Sequence, residues 1–319
     1  MRGITGLFLI FILSILIGGT GGGYAEDYAE FSNAELRCVI GNNASWEDHR
    51  VGYNGIFRLT SIHQQKPLFV PAYAGLNLEH IFDGAVTTDD RKKFFEPRHS
   101  PMLFRKIDER TAELHQPATL YRKVESTTVF RLTDPCYIDV TFRCTPHEDL
   151  FEGGAFGLFW ASYINEPLDK STYFLRGGSS LEKPVWQQFC TQFHGHDSTV
   201  KFHSDPFTWK FSHAIPERLL FGEISQVTYA EPFFYGQFEN MVFIVIFGQA
   251  NGIRFAHSPS GGGGTKTGDD TCPAWDFQFV VPDYEAGKEY RMQYRAVYKS
   301  WFGRTDVLRE VHRYMKEIK

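Results

Sequence analysis

Hydrophobic and polar residues alternate with a period of two along much of this chain. Over residues 136–144 the even positions are Cys136, Ile138, Val140, Phe142 and Cys144, and the odd ones are Tyr137, Asp139, Thr141 and Arg143. Successive strand side chains point to opposite faces, so the spacing predicts a strand with one apolar and one polar face. Residues 290–298 do the same, with Tyr290, Met292, Tyr294, Ala296 and Tyr298 opposite Arg291, Gln293, Arg295 and Val297. Further strands are predicted over 51–60, 103–108, 119–123, 126–132, 155–163, 171–175, 199–203, 208–212, 252–257 and 275–281. Met241–Phe247 (MVFIVIF) has the length of a buried strand. The spacing of about ten residues, with Gly, Pro, Asn and Asp between, suits antiparallel sheets in a sandwich or barrel rather than alternating βαβ units.

One helix stands out. Thr305 or Asp306 is the expected cap, and Val307, Leu308, Val311, Met315 and Ile318 form an apolar stripe at helical spacing. This helix is expected to dock the C-terminus on the sandwich. Residues 258–273 (SPSGGGGTKTGDDTCP) have loop composition. They lack the Lys-Ser/Thr ending and the strand-to-helix setting of a phosphate loop, so nucleotide binding is set aside and no cofactor is implied.

Composition agrees with a folded, aromatic-rich β protein. Of 319 residues 42% are hydrophobic and 16% aromatic, with 30 Phe, 15 Tyr and 6 Trp against 5 Met. That excludes a disordered chain. A net charge of −5 argues against a nucleic-acid partner, which calls for a basic domain. Residues 1–25 read as an export signal: Arg2, an apolar run of 11 residues (LFLIFILSILI), then GGTGGGYA with Gly23 and Ala25 at the −3 and −1 places. Spanning a bilayer takes about 20 apolar residues, so no stable membrane span is expected after cleavage, an uncleaved anchor being the alternative. The expected organisation is a signal peptide over 1–25 and a single domain over 26–319, secreted or periplasmic.

Five cysteines, Cys38, Cys136, Cys144, Cys190 and Cys272, leave at least one outside any intrachain pair. Cys136 and Cys144 on one strand lie roughly 26 Å apart, far beyond the reach of a disulfide. Burial of most of these thiols is expected.

Candidate chemistry clusters in three places. Glu79-His80, with Asp83, sits in FVPAYAGLNLEHIFDG. A histidine exchanges protons near neutral pH and a carboxylate orients it; if the segment is extended, however, Glu79 and His80 point to opposite faces. His194-Gly195-His196 places two imidazoles on one side of a strand, within reach of one cation. The pair is similar to the start of a cupin metal motif, yet Val200 and Lys201 stand where that motif has a Glu. Third, flat aromatics with amides and guanidinium groups suit the apolar face and polar rim of a sugar. Trp160, Tyr163 and Asn165 in FWASYIN, Arg254 in GIRFAHS and Trp275 are the candidates. Asn43-Ala44-Ser45 fits a glycosylation acceptor, and no nucleophile motif or Asp-rich calcium loop occurs.

Taken together, GYNGIFRLTS, FVPAYAGLNLEHIFDG, FWASYINEPLDK, EPFFYGQ with MVFIVIF, HSPSGGG and PAWDFQFVVPDYEAGKEY resemble a group of uncharacterised secreted bacterial proteins. More distantly, strand count and length resemble the large galactose-mutarotase-type β-sandwich of sugar epimerases, some glycoside hydrolases and some polysaccharide lyases. This resemblance implies an all-β supersandwich, and enzymes of that fold commonly use His with Glu or His with Tyr on the concave sheet. The leading expectation is a secreted carbohydrate-active protein, a glycan lyase or hydrolase with an aromatic-lined concave site. His80 or His194 would exchange the proton, Tyr235 or Glu79 would assist, and Arg254 would hold the substrate. The alternatives are a non-catalytic module binding carbohydrate or an envelope surface, and a metal-dependent site on His194 and His196.

Overall fold

The computed structural model describes residues 26–85, 90–192, 195, 197–211, 219–260 and 272–319. Within them the chain is all-β, with two large sheets, a small third sheet and a C-terminal helix. A nine-stranded sheet runs β11 (Trp186–Phe189), β10 (Thr172–Leu175), β14 (Phe233–Phe238), β15 (Met241–Phe247), β18 (Tyr290–Ser300), β8 (Tyr137–Pro146), β7 (Val124–Thr133), β6 (Thr111–Gln116), β5 (Leu103–Asp108). A six-stranded sheet runs β13 (Ile224–Tyr229), β12 (Thr199–Phe202), β16 (Ile253–Ser258), β17 (Ala274–Val281), β9 (Phe156–Ala161), β4 (Asn77–Phe82). Neighbours pair antiparallel except β12 with β13. The third sheet is β1 (Tyr28–Ser32), β2 (Leu36–Gly41) and β3 (Gly55–Ser61).

The inner faces of the two large sheets share an aromatic core. Phe277 of β17 stacks on Trp160 of β9 at 5.1 Å and meets Phe247 of β15 at 5.0 Å and Tyr294 of β18 at 5.2 Å. Phe142 of β8 meets the same Trp160 edge-on at 4.8 Å. Trp275 covers Gly236 of β14, where an added Cβ would fall 2.2 Å from the indole. These positions correct the expectation for Trp160 and Trp275. At 1% and 0% exposure they are core rather than ligand platform, because strand alternation turns 158, 160, 275, 277 and 279 inward.

Helix α3 (Arg304–Glu317) packs on β15, burying Val307, Val311 and Tyr314, so that β15 is covered on both faces. Its N-cap is Gly303, with φ 89°, rather than Thr305 or Asp306, and no side chain caps it. Asp306 instead pairs with Lys299 of β18 at 3.0 Å, which draws the first turn onto the sheet. Residues 119–123 are a turn and not the predicted strand. The Glu96 carboxylate accepts the backbone N–H groups of Tyr121 and Arg122, which removes those donors from any ladder. Residues 208–211 are irregular as well. Cys38, Cys136 and Cys144 are buried free thiols, Cys272 is buried, and Cys190 is exposed; burial raises the Cys136 pKa to about 12. No described helix is long and apolar enough to cross a membrane.

Candidate functional site

The outward face of the six-stranded sheet carries a buried polar cluster, and a β-bulge creates it. Leu78 pairs with Trp160 and His80 with Phe159, leaving Glu79 as the extra residue between them. Leu78 and Ile81 enter the core, while Glu79 and His80 both contact side chains of the outward face. The predicted placement on opposite faces is therefore corrected. It assumed a regular pleat, and the bulge resets the alternation by one residue.

Glu79 is 5% exposed and doubly held. The Tyr163 hydroxyl donates toward its two oxygens at 3.0 and 2.9 Å, and Arg98 Nη1 donates at 3.2 Å. Arg98 arrives from α2 (Glu96–His99), which follows α1 (Arg91–Phe94), whose N-cap Asp90 accepts the N–H groups of Lys92 and Lys93. The Arg98 guanidinium lies 3.8 Å from the Tyr53 ring centroid and 4.8 Å from that of Phe95, and its Nε is buried with no partner among the described residues. Three phenols wall the cluster: Tyr53 and Tyr73 are 4.9 Å apart, Tyr73 and Tyr163 4.9 Å, and Tyr53 and Tyr163 5.9 Å. At the rim, Arg50 Nη1 donates to the Tyr73 hydroxyl at 3.1 Å.

Electrostatics divides the titratable groups. Burial, reinforced by the charge of Glu79, raises the Tyr163 phenol well above its ordinary range, so it remains a donor. Burial also raises the Asp276 carboxyl well above the usual carboxylate range, although the Ser162 N–H pulls the other way, and Glu79 adds to the rise. Asp276 thus lies within the field of Glu79. His80 Nδ1 lies 2.8 Å from the Phe94 carbonyl oxygen. A carbonyl only accepts, so Nδ1 carries the hydrogen, and in the neutral ring Nε2 is the basic nitrogen.

The other predicted site residues are dispersed. Arg254 lies on the same face, in the cross-strand row His80, Phe159, Gln278, Arg254. Three strand spacings put its Cα about 14 Å from that of His80. At 1% exposure its charge is committed to Asp205 at 3.1 Å and the Phe207 carbonyl at 2.9 Å. Tyr235 belongs to the nine-stranded sheet, where its hydroxyl accepts from Arg304 Nε at 3.0 Å and its ring stacks on Tyr173 and Trp301. It does not meet Glu79 or His80, which sit on a different sheet. Asn165 donates to the Pro67 carbonyl at 3.1 Å. His194 and His196 lie outside the described residues. Among the described residues no group of three or more His, Cys, Asp or Glu is placed to hold a metal.

The described part of this face is packed rather than an open dish. Phe221 stacks on Phe82 at 4.1 Å and Trp209 meets Phe82 at 5.3 Å. Arg98, with its side chain 16% exposed, is the surface end of the Glu79 cluster. Arg98 is also the functional candidate that the sequence reading missed. It stands on a four-residue helix, 19 positions from Glu79, with no spacing signal to connect them.

No family model matches the chain, and no curated protein matches it. Solved structures do. The chain is similar to an Escherichia coli K12 protein named after aldose 1-epimerase, at 11% identity and TM-score 0.48, covering 86% of this chain and 99% of that one. It is similar to a GalM/aldose epimerase homologue from C. elegans at 8% identity and TM-score 0.45, covering 86% and 98%. It is also similar to heparan sulfate lyase from Pedobacter heparinus at 9% identity and TM-score 0.39, covering 88% of this chain and 38% of that one.

Proposed function

We propose that this is an exported protein that acts on an acidic carbohydrate by proton transfer at Glu79. The observation that carries the reading is the Glu79 carboxylate held jointly by the Tyr163 phenol and the Arg98 guanidinium, inside a wall of three tyrosines. A sugar ring has an apolar C–H face and a hydroxyl rim, and phenol rings with a carboxylate and a guanidinium complement both. The signal-like pattern of residues 1–25 supports export.

Among carbohydrate reactions, elimination fits these groups better than hydrolysis. Glycoside hydrolysis ordinarily uses two carboxyl groups facing the scissile bond, and the second acid here, Asp276, is fully buried with its oxygen on the Ser162 N–H. In an elimination, Glu79 takes the proton beside a uronate carboxylate and Arg98 stabilises the enolate charge. The electron pair forms the new C=C bond as the C–O bond to the leaving sugar breaks. The Tyr163 hydroxyl, or a protonated His80, supplies the proton to the departing oxygen.

The test is turnover of alginate, polygalacturonate, hyaluronan and heparan sulfate, followed by the ultraviolet absorbance of the unsaturated uronide. Wild type should cleave at least one of these polymers, and Glu79→Gln, assayed at a temperature where it is folded, should lower that rate by about 10²–10⁴. Binding without turnover, or full activity in Glu79→Gln, overturns the proposal.

A further inference from the structure

The outward face of the β1–β2–β3 sheet lines a groove of about 800 Å³, within the range of about 300–1,000 Å³ typical of ligand sites. Two cross-strand rows form its floor: Ser32, Arg37 and Thr60 in one, Glu30, Val39 and Arg58 in the other. The rows are two residues, or about 7 Å, apart. They offer hydroxyls, guanidinium groups and a carboxylate at regular intervals, with Gln65 on the wall. Such a surface suits an extended, hydroxyl-rich chain, and Arg37 suits its carboxylates, as does Arg58 by exchanging Glu47, with which it pairs at 2.5 Å.

Packed side chains connect the groove to the Glu79 cluster. Arg58 and Pro67 are shared with an adjoining crevice lined by Trp46, Glu47, Asp48, Phe57 and His49. The Arg58 guanidinium sits 4.5 Å from the Trp46 ring centroid. His49 stacks on Phe57 at 3.7 Å, and its ring nitrogens lie 3.1 and 2.9 Å from the carbonyl oxygens of Tyr73 and Tyr53. Those tyrosines are two of the three that wall Glu79. The small sheet continues this face physically, because Asn54, just before β3, bonds to Asn77 and to the Leu78 carbonyl of β4.

We infer that the groove holds further sugar residues of a polymeric uronate whose reacting unit lies at Glu79, so the substrate is a chain rather than a single sugar. The inference rests on the function proposed above. It is tested with the double variant Arg37→Ala, Arg58→Ala and with size-fractionated alginate, oligogalacturonide and heparan sulfate fragments, from disaccharide to octasaccharide. Wild type should bind octasaccharide at least about tenfold more tightly than disaccharide. The double variant should lose that gain while keeping its melting temperature and its disaccharide turnover. No gain with length in wild type, or a gain that survives in the double variant, overturns the groove. Length-dependent binding together with full activity in Glu79→Gln would overturn the Glu79 reading and leave the groove standing. Absence of binding at every length overturns both.

Discussion

Buried charge on the outward face is balanced pair by pair, and each pair gives a measurable consequence. Arg254 is buried and Asp205 half-buried, joined at 3.1 Å, with the Phe207 carbonyl as a further acceptor. Removing Asp205 strands the Arg254 charge without water. Asp205→Ala should therefore destabilise the protein by about 3–5 kcal/mol in urea unfolding, a loss that a surface pair would not give. A change below about 1 kcal/mol would mean that Arg254 finds solvent, contrary to its burial.

His257 links stability to pH. Its Nε2 donates to the Lys170 carbonyl at 2.8 Å, while Nδ1 accepts from the Thr191 N–H at 3.3 Å, so the neutral ring is the form built into the fold. Burial lowers its pKa from 6.5 to about 4, with the Lys170 carbonyl opposing. Between those two values the unfolded chain binds the proton and the folded one does not. Stability should therefore fall as pH drops from about 6.5 to about 4, then level off, by on the order of 3 kcal/mol from this residue. Urea titrations across that window check the sign. His257→Gln should flatten the slope, and an unchanged slope would assign it elsewhere.

Elements differ in how much of them was legible from sequence. The alternation over 136–144 and 290–298 survives in β8 and β18 because one face of each meets the core and the other carries Asp139, Arg143, Arg291 and Gln293. β5 and β15 have the predicted bounds. β1, β2, β6, β11, β13 and β14 escaped prediction; of these β11 and β13 are edge strands whose residues are mostly half-buried, which blurs the apolar pattern. β4 carries the site and hides it, since the bulge at Glu79 breaks the period from which facing is inferred. Glu79, His80 and Tyr163 were therefore visible as ingredients, whereas their alignment and the arrival of Arg98 depend on tertiary packing. Facing also explains Trp160 and Trp275: composition reports an indole, and the register decides which side of the sheet it enters.

The same register makes Gly236 a sensitive position in β14. Trp275 from the opposite sheet lies against its Cα, and a methyl group there would overlap the indole. Gly236→Ala should destabilise by about 1–3 kcal/mol through overpacking of the intersheet core. Thermal unfolding would show the drop, and an unaltered melting temperature would contradict the contact.

At the scale of the molecule, one aromatic core joins the two large sheets, and their outward faces carry different chemistry. Tyr235 and Arg304 belong to the nine-stranded sheet and the helix docked on it. Glu79 of the six-stranded sheet, Arg98 of α2 and the wall of Tyr53, Tyr73 and Tyr163 gather on the other outward face, extended by the small sheet with its groove. A long acidic chain lying across that second face would meet the guanidinium of Arg37 and that of Arg58, which pairs with Glu47, before reaching the carboxylate. The central claim is that Glu79 is the proton acceptor for such a chain. Parallel cleavage assays of wild type and Glu79→Gln on the four polyuronates, with melting temperatures measured alongside, test it most directly. Wild type should cleave, and the variant, assayed where it is folded, should lose about 100-fold or more. Equal rates in the two proteins, or no cleavage of any polymer by wild type, would contradict it.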